Sequence, residues 1–143
     1  MVRIELQRVQ GDYGFKAKDE NGNTLQTDTS IENGGTNFGV RPMQTLLMAL
    51  GSCSAIDIVS ILKKQRQQLD EFEIKIEGER EKGKEPSLWK KIHMHFILKG
   101  KIDPDKAQKA CTLSVEKYCS VAETLRRAGA AIEWNVTVSE IKN

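Results

Sequence analysis

The stretch from residue 42 to residue 67, PMQTLLMALGSCSAIDIVSILKKQRQ, decides the fold. Leu46, Leu47, Leu50, Cys53 and Ser54, then Ile58, Ile61 and Leu62, recur at i, i+3 and i+4, the spacing that lines one face of an α-helix. Pro42 suits a first helical turn, where a missing N–H costs nothing. The pattern predicts a helix from Met43 to about Gln67, roughly 35–40 Å long at 1.5 Å per residue. Apolar side chains extend well round it, so much of its circumference needs burial. One small sheet offers less cover than that, and a partner subunit is the expected source of the rest. The most apolar window of this stretch, Leu46 to Leu62, is rejected as a membrane span. Gly51, Ser52, Ser54, Asp57 and Ser60 interrupt it, and a carboxylate in mid-span is expensive in lipid.

Outward from this helix the chain reads mostly as strands. On the N-terminal side, Val2, Ile4 and Leu6 alternate with polar residues as a half-buried strand. Phe15-Lys16-Ala17 and Thr24 to Thr29 continue an antiparallel meander, with turns at Gly11-Asp12 and Asn21-Gly22-Asn23. A loop from Asn33-Gly34-Gly35 runs to Arg41. On the C-terminal side, Phe72, Ile74 and Ile76 form a strand with one wet face. After a charged hairpin loop, Ile92, Met94, Phe96 and Leu98 point inward from the next strand. Asp103-Pro104 is an N-cap followed by proline at the first helical position. Ala107, Ala110, Cys111, Ser114, Val115 and Tyr118 then make a helical stripe. A shorter helix restarts at Cys119 and ends near Gly129, and Ile132, Trp134, Val136 and Val138 alternate in a last strand. Strand runs around a few helices mean an α+β chain, and 143 residues fit a single domain, 1–143.

Composition narrows the function classes. A formal net charge of +2, with no basic cluster, argues against nucleic-acid binding. The alternating Met1–Leu6 lacks the apolar run of a signal peptide. Three cysteines are an odd number for a disulfide framework, so reduced thiols and a cytoplasmic location are expected.

Cys53 lies in Gly51-Ser52-Cys53-Ser54-Ala55, a run of small residues in a bulky helix. The run leaves space either for close packing or for a ligand to reach the sulfur. Cys119 sits at the start of a helical segment, where free N–H groups and the dipole favour a thiolate, or it is a core cysteine at a bend. Cys111 reads as packing. His93 and His95 alternate with inward residues, so they face water, and no zinc site is expected.

Pro42 through Cys53, together with Lys117-Tyr118-Cys119-Ser120-Val121, resembles the two cysteine motifs of the OsmC/Ohr proteins over essentially the whole chain. The resemblance implies an OsmC-like fold, with antiparallel sheets wrapped around two long central helices in an intertwined homodimer. It implies a peroxidase of organic hydroperoxides, in which Cys53 attacks the peroxide and Cys119 resolves it. An external dithiol then restores the pair, with no cofactor. A Glu follows the Pro in characterised members, and this chain has Met43; a divergent branch has Glu one residue later, and this chain has Gln44. The family arginine has no match in Gly11–Phe15. Arg41 is offered as its substitute, or as a solvated loop charge. Gln44 is offered as a hydrogen-bonding group near the sulfur, or as polar surface at a helix start. The competing functional reading is a non-peroxidatic dimer that uses the same pocket for a small thiol-reactive or sulfur-containing ligand; a third is a dimer with inert cysteines.

Overall fold

The computed structural model describes residues 1–140. Its elements are β1 (Glu5–Gln10), β2 (Gly14–Lys18), β3 (Thr24–Thr27), α1 (Pro42–Lys64), β4 (Gln68–Arg80), β5 (Trp89–Lys101), α2 (Pro104–Leu113), α3 (Ser120–Arg127) and β6 (Ala131–Ser139). The chain is α+β, as its sequence predicts. Its contacts gather into two compact units, Met1–Leu46 and the chain from Leu47 onward.

The first unit is the expected antiparallel meander, in the order β1-β2-β3. Asp19 anchors its second turn, accepting from the Asn21 and Asn23 N–H groups at 2.9 and 2.8 Å. The loop after β3 folds around Asp28, a buried carboxylate. It accepts from the backbone N–H groups of Thr36, Phe38 and Thr29, and the Thr36 bond above all holds it below its usual range. β1 begins three residues later than Val2, and every residue in it is exposed rather than half-buried.

The second unit is built on a sheet in the order β4-β5-β6. β4 and β5 form a long antiparallel pair, whereas β6 runs parallel to β5, from Lys91↔Ala131 to Lys99↔Ser139. That pair departs from the all-antiparallel expectation. Alternation along a strand reveals its faces but not its direction, which here follows from the α2–α3 crossover between β5 and β6. Ile92, Met94, Phe96 and Leu98 are fully buried, as their period of two requires. The Phe96 ring lies 6.2 Å from both Phe72 and Trp134. Each such side chain contributes about 1.5–3 kcal/mol by leaving water.

From Leu47 onward, α1 adds Leu50, Ile58 and Leu62 to this core, beside Ala107, Ala110, Cys111 and Val115. Gly51 permits close approach to the sheet, because a Cβ there would stand 2.7 Å from Ile76 Cδ1. Part of the small-residue run therefore serves packing. α1 ends at Lys64, three residues before the predicted end. Gln67 N–H bonds Leu62 C=O and Arg66 N–H bonds Lys63 C=O, with Arg66 left-handed at φ 59°. This is a Schellman stop made without its usual glycine, so the sequence carries no stop signal there. By length and composition α1 could cross a membrane, and 28% of its most apolar window is buried. Met48 and Ile56 remain exposed on it.

A thiol and carboxylate site between α1 and α3

One turn of α1 and the junction before α3 bring three reactive side chains together. The ligand atoms of Cys53, Asp57 and Cys119 all lie within 4.8 Å of one another. Cys53 and Asp57 are four residues apart on one helix face and are both half-buried. Cys119 is 2% exposed.

The junction places Cys119 through a π-helical turn, Ser114–Tyr118, closed by a 2.7 Å bond from Cys119 N–H to Ser114 C=O. Such a turn holds one residue more than an α-turn, and it recurs at functional sites. It rotates Tyr118 off the apolar stripe, leaving it 51% exposed instead of buried as predicted. Cys119 itself caps α3, its sulfur accepting from Ala122 N–H at 3.4 Å. Arg126 fixes the turn from outside with a 2.9 Å bond to Val115 C=O.

Two buried serines complete the setting. Ser54 Oγ donates to Cys119 Sγ at 3.4 Å. Ser114 Oγ donates to Ser54 C=O at 2.9 Å and lies 3.4 Å from Asp57 Oδ2. The thiolate-favouring helix start, one of the two readings of Cys119, is outweighed by burial, which pushes the Cys119 thiol up; its hydrogen bond and charge interaction with Cys53 add to the effect, against the lowering hydrogen bonds from Ser54 and Ala122. Cys111 is wholly buried and pushed up to about 12 by desolvation, which fits an inert packing role.

Arg41 and Gln44 belong to the first unit and have local partners. Arg41 Nη1 donates to Gly39 C=O at 2.9 Å, and the Arg41 backbone N–H donates to Gln44 Oε1 at 3.4 Å. The second contact is the back-reaching half of a capping box at the start of α1. His95 Nε2 lies 3.1 Å from Thr137 Oγ1 on the sheet face opposite the core. Asp57 escaped the sequence reading, which weighed it only as an interruption of an apolar helix. Its spacing of four residues from Cys53 was the available signal.

The sequence profile described as OsmC-like protein matches residues 33–135. The chain belongs to the OsmC-like family. Among curated proteins it resembles Protein YhfA of Escherichia coli K12, 49% identical over 88 residues, 61% of this chain and 65% of YhfA. The match thus spans just under two thirds of that relative. Among solved structures it resembles a hypothetical protein from Aquifex aeolicus VF5, 29% identical with a TM-score of 0.80, covering 96% of this chain and 97% of that one. It also resembles the organic hydroperoxide resistance protein OhrB of Bacillus subtilis, covering 96% and 98% with a TM-score of 0.63. At 17% identity that last likeness speaks for the OsmC-like fold alone. Both motif cysteines, Cys53 and Cys119, fall inside the profile match.

Proposed function

We propose that this OsmC-like protein is a thiol peroxidase of organic hydroperoxides, with Cys53 as nucleophile and Cys119 as resolving thiol. The observation that carries this reading is the meeting of both sulfurs, 66 positions apart in sequence, within 4.8 Å. A disulfide needs about 2.05 Å, so less than about 3 Å of closure separates the free pair from the bond.

Cys53 is the more accessible thiol and takes the first step. Its thiolate attacks the distal oxygen of ROOH, the O–O bond breaks, and Cys53 sulfenic acid and ROH form once a proton reaches the alkoxide. The Cys119 thiol then attacks the Cys53 sulfur, forming the S–S bond and releasing water. Cys119 enters this step holding its proton, so it needs a base. Asp57 is the carboxylate within reach, and it passes that proton to the departing hydroxide. An external dithiol restores both thiols by exchange. Free, unbridged cysteines suit a cytoplasmic setting that keeps thiols reduced.

The test is cumene hydroperoxide consumption with dithiothreitol as reductant. Protein-dependent turnover is expected, with Asp57→Asn slowed by on the order of 10²-fold in disulfide formation. Loss of peroxide no faster than in buffer would remove the peroxidase reading. One observation favours the competing non-peroxidatic binding protein: Arg41, offered as the substitute for the family arginine, spends its guanidinium Nη1 on Gly39 C=O at 2.9 Å.

The active unit is proposed to be a homodimer, and the chain a single domain within it. Met48 and Ile56 on α1, and Ile4, Leu6 and Leu25 in the meander, are apolar and exposed in the single chain. Exposed apolar side chains on each unit call for a partner, and a second copy supplies the cover that the length of α1 demands. Sedimentation equilibrium is expected to return twice the chain mass; a well-folded monomer at micromolar concentration contradicts this assembly.

A further inference from the structure

We propose that the reduced protein binds one soft divalent cation of the zinc type through Cys53 Sγ, the Asp57 carboxylate and Cys119 Sγ. The sequence suggests no metal, because His93 and His95 face water and no Cys or carboxylate lies at a spacing that matches them. The geometry points elsewhere. Zinc takes thiolate sulfur at about 2.3 Å and carboxylate oxygen at about 2.0–2.2 Å. Tetrahedral donors at those lengths stand roughly 3.5–3.8 Å apart, and the three atoms here, within 4.8 Å of one another, need only small side-chain rotations to reach that spacing.

The scaffold is rigid where the site needs it. Cys53 and Asp57 share a face of α1 at i and i+4, a spacing that lets one helix offer two ligands to one ion. Cys119 is set opposite by the π-turn and by its place as the cap of α3. A second layer of hydrogen bonds orients the donors, as metal sites require. Ser54 Oγ and Ala122 N–H both donate to Cys119 Sγ, and Ser114 Oγ reaches Asp57 Oδ2, leaving Oδ1 for an ion. Metal binding displaces the thiol protons, and the dication then offsets the repulsion between two thiolates and a carboxylate held this close. Two sulfurs in the set select zinc, cadmium or cobalt over magnesium or calcium. Three protein ligands leave a fourth position for water or an incoming thiol.

This inference does not depend on peroxidase activity. The experiment is a Co²⁺ titration of the reduced, full-length protein, read by the thiolate-to-cobalt charge-transfer band in the near ultraviolet. One Co²⁺ per chain is expected, displaced by Zn²⁺. Cys53→Ser and Cys119→Ser should each cut the band by about half or more. Asp57→Asn should weaken binding by roughly 10-fold or more, and Cys111→Ser should leave it unchanged. A wild-type protein with no band overturns the site. So does a band that survives in Cys119→Ser at full strength or vanishes in Cys111→Ser. The peroxide assay reads the other proposal separately, since protein with no cobalt band can still consume hydroperoxide.

Discussion

Cys53→Ser is expected to reduce cumene hydroperoxide consumption to the uncatalysed level, a fall on the order of 10³-fold or more, because the only atom that makes the first bond is gone. The position tolerates the change. Cys53 is half-buried on α1, beside the exposed Ser52 and the buried Ser54, so a hydroxyl there neither opens a cavity nor strands a buried polar group. An unchanged circular dichroism spectrum and melting temperature should accompany the loss. Turnover retained at half the wild-type rate would mean that another thiol is the nucleophile. Cys111 makes a poor candidate, since it is fully buried and holds its proton up to about 12.

Cys119→Ser is expected to separate the two steps. Serine is a good helix cap, and its oxygen can accept from Ala122 N–H and Ser54 Oγ as the sulfur does, so α3 should survive. The first turnover should proceed near the wild-type rate, because Cys53 is untouched. Without the resolving thiol the sulfenic acid lingers, and excess peroxide drives it to sulfinic acid. Steady-state consumption should then fall at least about 10-fold within the first few turnovers, with sulfinate on Cys53 in the mass spectrum. A variant that cycles normally would show that the external dithiol reduces the sulfenic acid directly and that Cys119 has no redox part.

The strands were legible because burial on one face imposes a period of two. Ile92 through Leu98 alternate without a break, and all four are inside. A helix start and a helix stop were legible too. Asp103 accepts from Asp105 N–H at 3.1 Å ahead of Pro104, and Gly129 takes the left-handed φ of 104° that follows α3. What stayed hidden depends on tertiary context. A π-turn has no composition signature, so Tyr118 was placed on the stripe that the turn takes it off. Arg66 ends α1 in a conformation usually left to glycine. The parallel course of β6 is set by the crossover rather than by its own residues. At the site, Cys53 and Cys119 could be named from their motifs. Asp57, Ser54 and Ser114 gain meaning only when α1 and the α2–α3 junction are seen side by side.

The central claim is that two sulfurs remote in sequence form one redox pair. The direct measurement is peptide mapping of the protein after one equivalent of cumene hydroperoxide, without reductant and with free thiols alkylated. A Cys53–Cys119 disulfide within one chain, with Cys111 alkylated only after unfolding, is the predicted result. A bond through Cys111, or Cys53 and Cys119 both still free while peroxide has been consumed, would contradict it.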